Sequence, residues 1–162
     1  MAKITRIGYG QVEPNHLSAQ RTGQIYAQLK CASDITVLEN GQFVKYDYAN
    51  NEVNFDGEGE YMLVFNEVKL YEPRETYKDF AMKAENYMDD EMVPRVFKTN
   101  IGDIYTTNCI NPASDVTEGS KLIVGDNGIL EVSEEDADMI WSVAKVYTLA
   151  DGQAAVKIQR IK

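Results

Sequence analysis

The sequence of 162 residues contains one histidine, two cysteines and no long apolar run. One histidine and two distant cysteines cannot assemble the zinc sites that His and Cys ligands usually build within a chain. No run approaches the roughly 20 apolar residues that a membrane-spanning helix needs, so we expect no membrane partner. The sequence also lacks a P-loop and a strand-to-helix GxGxxG motif, which leaves nucleotide binding unsupported.

Basic residues are scarce, because 16 Lys and Arg stand against 26 Asp and Glu, for a formal net charge of −10. This charge opposes the counterion release that drives nucleic-acid binding, so we expect no nucleic-acid partner. The hydrophobic fraction of 44%, with 10 Tyr, 5 Phe and 1 Trp, indicates a folded chain. Its length fits one domain with extensions.

The residues that could carry chemistry are dispersed along the chain. Cys31 and Cys109 each lie in an apolar alternating stretch, which predicts two reduced cysteines packed in the core. His16 has no Ser, Cys or carboxylate beside it in a recognisable order, and we interpret it as a surface residue. We therefore predict no catalytic, cofactor or metal site and no enzymatic activity. The N-terminus has no apolar h-region, so we expect synthesis and folding in the cytoplasm.

Carboxylates are concentrated in three clusters, at residues 56–60, 89–91 and 134–138. None of the clusters has the spacing of an EF-hand. Ser133 precedes the third cluster and predicts a capped first turn of a short helix there. We interpret all three clusters as solvated turns rather than as ligand sites.

Apolar residues repeat with a period of two over most of the chain, which predicts a mainly β fold. Asn40-Gly41 lies between two apolar runs in residues 35–48, and this pattern predicts a hairpin. A second hairpin is predicted from residues 141–148, a turn near 150–152 and a return through Ile158. We expect its last strand to close a sheet edge.

One stretch after Pro73 has a different period. Its apolar residues recur three and four positions apart, at Tyr77, Phe80, Ala84, Tyr87 and Met88. This spacing predicts one helix over about residues 77–92 that ends before Pro94. We interpret its methionine and aromatic stripe as core packing rather than as a ligand pocket.

Residues 1–20 are polar, and Gly8, Gly10 and Pro14 interrupt any periodic element. We interpret this segment as an extended N-terminal arm on a β-rich domain of residues 21–162. Its scattered apolar residues are candidate partner-binding anchors: Ile4, Ile7, Tyr9, Val12 and Leu17. Two alternatives stay open, in which the arm wraps its own domain or adds to a neighbouring subunit.

Two sequence blocks resemble a known class of proteins. The first comprises LENGQFVKY at 38–46 and YMLVFNEVKLY at 61–71; the second comprises GDIYTTN at 102–108, VTEGSKL at 116–122 and DNGIL at 126–130. Together they resemble the capsid decoration proteins, also called cement or auxiliary head proteins, of tailed bacteriophages. The resemblance implies a compact β-barrel, tulip or sandwich-like domain of short antiparallel strands without a catalytic site.

On this resemblance we expect a virion structural protein on the capsid exterior that binds the major capsid protein lattice and stabilises the head. Self-association into a homo-oligomer on the capsid stays open. So do a head-tail junction or tail component and a carbohydrate-binding β-domain. The carbohydrate alternative needs a surface tyrosine or Trp141 to stack on a sugar, whereas the strand pattern favours Trp141 in the core.

Overall fold

The computed structural model describes residues 2–4, 8–16, 25–26, 29–66, 81–112 and 115–162. Sixteen short strands and three single-turn 3-10 helices make up the regular structure of these residues. All strand pairs but one are antiparallel within this part of the chain, and one sheet curls into a half-barrel. The predicted mainly β fold of short antiparallel strands is confirmed.

The strands are numbered in chain order. They are β1 (Ala2–Lys3), β2 (Val12–His16), β3 (Ile25–Tyr26), β4 (Lys30–Cys31), β5 (Val37–Glu39), β6 (Phe43–Asp47), β7 (Glu52–Asn54), β8 (Glu58–Val64), β9 (Ala81–Lys83), β10 (Val96–Phe97), β11 (Ile104–Thr107), β12 (Asp115–Val116), β13 (Lys121–Val124), β14 (Leu130–Val132), β15 (Trp141–Thr148) and β16 (Ala154–Arg160). The 3-10 helices are Ala84–Asn86, Met88–Asp90 and Asp126–Gly128.

Two six-stranded sheets dominate the fold. The central sheet has the order β3-β10-β8-β6-β7-β4, and the outer sheet has the order β14-β13-β15-β16-β11-β2. The other four described strands form two small sheets, β1-β12 and β5-β9. Among the described residues, no helix is apolar and long enough to cross a membrane.

The central sheet is buried on both faces. Successive side chains of a strand point to opposite faces, so Phe43 joins one apolar cluster and Val44 joins the other. The first cluster fills the space towards the outer sheet around Trp141, and the second lies beneath the β5-β9 pair. Burial of each such side chain stabilises the fold by roughly 1.5–3 kcal/mol. Double-sided burial explains why these strands read as continuous apolar runs such as Met62-Leu63-Val64.

The second predicted hairpin is confirmed. β15 and β16 pair from Trp141 opposite Arg160 to Thr148 opposite Ala154, with a register shift between Val143 and Lys145. However, β16 lies between β15 and β11, so the prediction that it closes a sheet edge is wrong. Strand β2, which contains Pro14, pairs with β11 and lies at this edge of the outer sheet instead. Proline is tolerated in an edge strand.

The turn predicted at Asn40-Gly41 forms, but the predicted hairpin does not. The amide of Gln42 donates to the carbonyl of Glu39 at 3.3 Å, as in a β-turn. Yet β5 pairs with β9, while β6 pairs with β7 and β8. Val64 of β8 bonds to both sides of the turn, donating to Gln42 and accepting from Gly41. These non-local bonds direct the two arms of the turn into different sheets.

The predicted helix over about residues 77–92 is wrong where the structure describes it, from residue 81 onward; residues 77–80 lie outside the described ranges. Residues 81–83 form β9, whose Met82 pairs with Leu38, and two 3-10 helices follow. Asp89 and Asp90 have φ angles of 56° and 57°, which an α-helix does not contain. Pairing with β5 therefore outweighs the helical spacing of the apolar residues.

Candidate partner-binding face

The structure describes three of the five residues predicted to anchor a partner through the N-terminal arm. The five are Ile4, Ile7, Tyr9, Val12 and Leu17, of which Ile7 and Leu17 lie outside the described ranges. Ile4 is 1% exposed in the first core cluster, and Val12 packs against the same cluster. Tyr9 is half-buried, and the Nζ of Lys83 lies 5.0 Å from its ring centroid.

The backbone of this segment is also engaged by its own domain. β1 pairs with β12, and β2 pairs with β11. Ile4 and Val12 thus follow the alternative in which the segment wraps its own domain. The structure brings no exposed apolar surface together from the described residues of the arm.

Exposed apolar side chains are concentrated instead in residues 84–93, which we call the Met88 loop. Met88 is 86% exposed, and Tyr87 and Val93 are also exposed. The sequence pattern predicts Tyr87 and Met88 on a helical face that packs against the protein core, and this prediction missed the exposed surface. The neighbouring Asp89-Asp90 pair, which suits a turn better than a helix interior, is the signal that could have revealed it.

Both ends of the Met88 loop are attached to the core. The amide of Ala84 donates to the carbonyl of Thr36 at 2.9 Å, and the amide of Cys31 donates to the carbonyl of Met92 at 2.8 Å. The Met92 side chain is buried in the second core cluster. The loop therefore leaves the domain and returns to it through fixed points.

The conformation of the loop turns Met88 outward. The amide of Glu91 donates to the carbonyl of Met88 at 3.2 Å and closes the turn. Asp89 and Asp90 have left-handed backbone conformations. This conformation costs most non-glycine residues roughly 1–2 kcal/mol each, but Asp and Asn adopt it more readily than the others. Short polar residues at these two positions make the outward turn possible.

Two hollows flank the Met88 loop and meet at Thr36, Ala84 and Asp90, which line both. The smaller has a volume of about 450 Å³ and contains Glu85 in its wall. The larger has a volume of about 470 Å³ and is walled by four carboxylates, including those of Asp90 and Glu52. Asp90 thus separates two recesses that are each wide enough for a long side chain of a partner.

Negative charge predominates on this face. Its carboxylates belong to Glu52, Glu85, Asp89, Asp90 and Glu91. Its ammonium groups belong to Lys30 and Lys83. The Lys30 ammonium donates to Glu91 at 2.8 Å, and this hydrogen bond raises the pKa of Lys30. After that pairing the remaining carboxylates still outnumber the cations, so the face attracts positive charge.

The chemistry available at the larger hollow is limited. Burial raises the pKa of the Cys31 thiol to about 12, with a smaller contribution from the charge of Glu52. The thiol is therefore protonated at neutral pH and is a poor nucleophile. Within the described ranges, no three His, Cys, Asp or Glu side chains are grouped so that they could hold a metal ion. The arrangement is suited to binding a cationic surface.

Other residues singled out in the sequence lie in the core or in turns. Trp141 is fully buried between Phe43 and Tyr105, as predicted, so it offers no face to a sugar. Cys31 and Cys109 are both buried cysteines that are not joined in a disulfide, which confirms their predicted state. Ser133 accepts from the amide of Glu135 at 3.1 Å, but no helix follows it.

Comparison with protein-family models, with curated proteins and with solved structures finds no match to this chain.

Proposed function

We propose that this chain is a virion structural protein of the capsid decoration class, which binds the outside of a major capsid protein lattice and stabilises the head. The observation that carries the proposal is the Met88 loop, an exposed apolar projection attached at both ends to a β-rich body. An apolar centre surrounded by polar groups is the usual anatomy of a protein-binding surface. The sequence resemblance supplies the class of partner.

The architecture supports an adhesive role. The central sheet lies between two apolar clusters, so the body that carries the loop is held together from both faces. A body of this kind can present the same surface in many copies without reorganising on binding, which lowers the cost of association.

The charge supports the same role. A formal net charge of −10 keeps neighbouring copies apart in solution and favours encounter with a basic protein surface. The carboxylates around the Met88 loop place part of this charge beside the apolar projection.

In this proposal the N-terminal segment stabilises its own domain and is not a free arm that binds the capsid. Deletion of residues 1–20 removes Ile4 from the core and β2 from the outer sheet. We expect that deletion to destabilise the domain, so loss of binding in the variant would not identify a contact. The proposed adhesion is therefore assigned to the exposed loop.

The test is sedimentation of the purified protein with expanded, DNA-free shells assembled from the major capsid protein encoded by the same genome. We expect saturable binding to these shells by a protein that is a monomer or small oligomer on its own. Absence of binding at about 100 µM protein, which corresponds to an affinity weaker than about −5.5 kcal/mol, would overturn the proposal. Imaging of labelled particles separates a head location from a tail location.

A further inference from the structure

Met88 is an exception among the methionines that the structure describes. Met62, Met82, Met92 and Met139 are buried, whereas Met88 is 86% exposed. Methionine is enriched at protein interfaces, because its flexible and polarisable side chain fills irregular apolar sockets. An isolated exposed apolar residue needs no explanation by itself. Here, however, Tyr87 and Val93 are exposed in the same loop, and carboxylates surround it.

We propose that Met88 is the apolar anchor of the interface, and that its partner surface presents an apolar socket rimmed by lysine or arginine side chains. This inference rests on the proposed function, in which that surface belongs to the capsid lattice. The inference specifies how the partner is recognised: through an apolar contact at the centre of the interface and through charged groups at its rim.

The charged rim follows from the hollows on either side of the loop. Asp90 lines both hollows, Glu85 lines one, and Asp89 lines the other. A cationic side chain of the partner that enters either recess meets a carboxylate. In an interface of this kind, the apolar centre contributes most of the affinity. The complementary charges at the rim chiefly set the orientation of the partners and their association rate.

The attachment of the loop lowers the cost of binding. Its ends are held by the Ala84 to Thr36 and Cys31 to Met92 hydrogen bonds, and Met92 is buried. These attachments restrict the backbone of the loop before the partner arrives, which lowers the conformational entropy lost on binding.

The test compares variants in equilibrium and kinetic binding to the expanded shells. Met88→Ala removes the anchor, and Met88→Leu keeps an apolar side chain of similar size. Ile101→Ala is the matched control, because Ile101 is 70% exposed but lines neither hollow. We expect Met88→Ala to weaken binding about tenfold or more. We expect Met88→Leu to bind within about twofold of the wild type, because leucine keeps an apolar side chain of similar volume. We expect the same of Ile101→Ala, because Ile101 lines neither hollow of the proposed interface.

The rim is tested with Asp89→Asn/Asp90→Asn, in which asparagine tolerates the left-handed backbone while removing both charges. Glu118→Gln is the control, because Glu118 is exposed on a turn and lines neither hollow. We expect the double variant to associate several-fold more slowly and to lose much of the salt dependence of the association rate, whereas the control keeps it. Circular dichroism verifies that each variant is folded.

The outcomes separate the claims. If Met88→Ala binds shells as the wild type does, the anchor is refuted while the proposed function stands. If the double variant keeps the wild-type rate and salt dependence, the cationic rim of the partner is refuted. If Ile101→Ala loses as much affinity as Met88→Ala, the interface is not centred on the Met88 loop. If the wild type does not bind shells at all, the proposed function fails and this inference fails with it.

Discussion

Gly128 lies where a turn of the outer sheet contacts the central sheet. Its replacement by alanine tests how much this close contact contributes to stability. It ends the 3-10 turn between β13 and β14 of the outer sheet, with a φ of +69°. A Cβ atom at this position would lie 2.0 Å from the carbonyl oxygen of Phe43 in the central sheet. Gln42 also donates from its side chain to the carbonyl of Asn127 at 2.8 Å. The turn is therefore pressed against the start of β6.

Two terms set the expected loss of stability for Gly128→Ala. A left-handed conformation costs a non-glycine residue roughly 1–2 kcal/mol. Displacement of the Phe43 backbone adds the cost of overpacking, about 1–3 kcal/mol. The sum of about 2–5 kcal/mol is a large part of the 5–15 kcal/mol by which a typical domain is stable.

Gly152→Ala provides the matched control. Gly152 has a φ of +87°, but no atom lies within 4 Å of the position of its added Cβ. Only the conformational cost of roughly 1–2 kcal/mol applies to this variant. The difference between the two variants isolates the contact with Phe43.

Urea denaturation measures both variants by the fluorescence of Trp141, the one tryptophan, which is fully buried. We expect Gly128→Ala to unfold at a clearly lower urea concentration than Gly152→Ala, with a similar slope of free energy against denaturant. Equal losses in the two variants would show that the Gly128 contact with β6 is unimportant for stability.

Further predictions concern two buried groups. Because folding raises the pKa of Cys31 to about 12, its contribution to stability is complete below the unfolded pKa of about 9 and is lost as pH rises towards 12. Unfolding free energy should thus fall with pH more steeply in the wild type than in Cys31→Ala above about pH 9, and equal slopes would contradict this. The Arg160 guanidinium donates to the carbonyl and hydroxyl of Thr99 and to the carbonyl of Lys162. Arg160→Met should therefore cost about 2–4 kcal/mol, a fall of roughly 4–16 °C in Tm; an unchanged thermal midpoint would contradict it.

The local signals in the sequence succeeded where one short interaction decides the structure. The β15-β16 hairpin formed because its strands, of 8 and 7 residues, are among the longest of the described strands and its turn residues connect them directly. In the turn, Leu149 accepts from Gly152 and donates to Gln153. Trp141 and both cysteines were placed in the core correctly, because their alternating neighbours mark which side of a strand is buried.

The same signals failed where two local preferences competed with distant partners. The Asn40-Gly41 turn predicts a hairpin, but β8 supplies hydrogen bonds to the turn and β9 supplies a partner for β5. The spacing of Tyr87 and Met88 predicts a buried helical face, but strand pairing at Met82 leaves both residues outside. A turn or helix preference amounts to a few tenths of a kcal/mol up to about 1 kcal/mol per residue, which the burial of one large side chain exceeds.

The position of the Met88 loop on the surface was likewise decided by distant strand pairing over local sequence preference. The acidic composition, together with the lack of a recognisable catalytic motif, predicts a protein that acts through its surface. The tertiary structure alone decided which apolar residues are exposed: Ile4 is buried in the first core cluster, Val12 packs against that cluster, and Met88 is 86% exposed.

The sequence by itself determined the mainly β class, the C-terminal hairpin and the burial of Trp141, because period-two patterns and turn residues act between near neighbours. Only the tertiary structure decided the order of strands in the sheets, the divergence of β5 from β6 and the exposure of the Met88 loop. These features depend on pairings between residues tens of positions apart, whose relative stability is settled by the packing of the complete core.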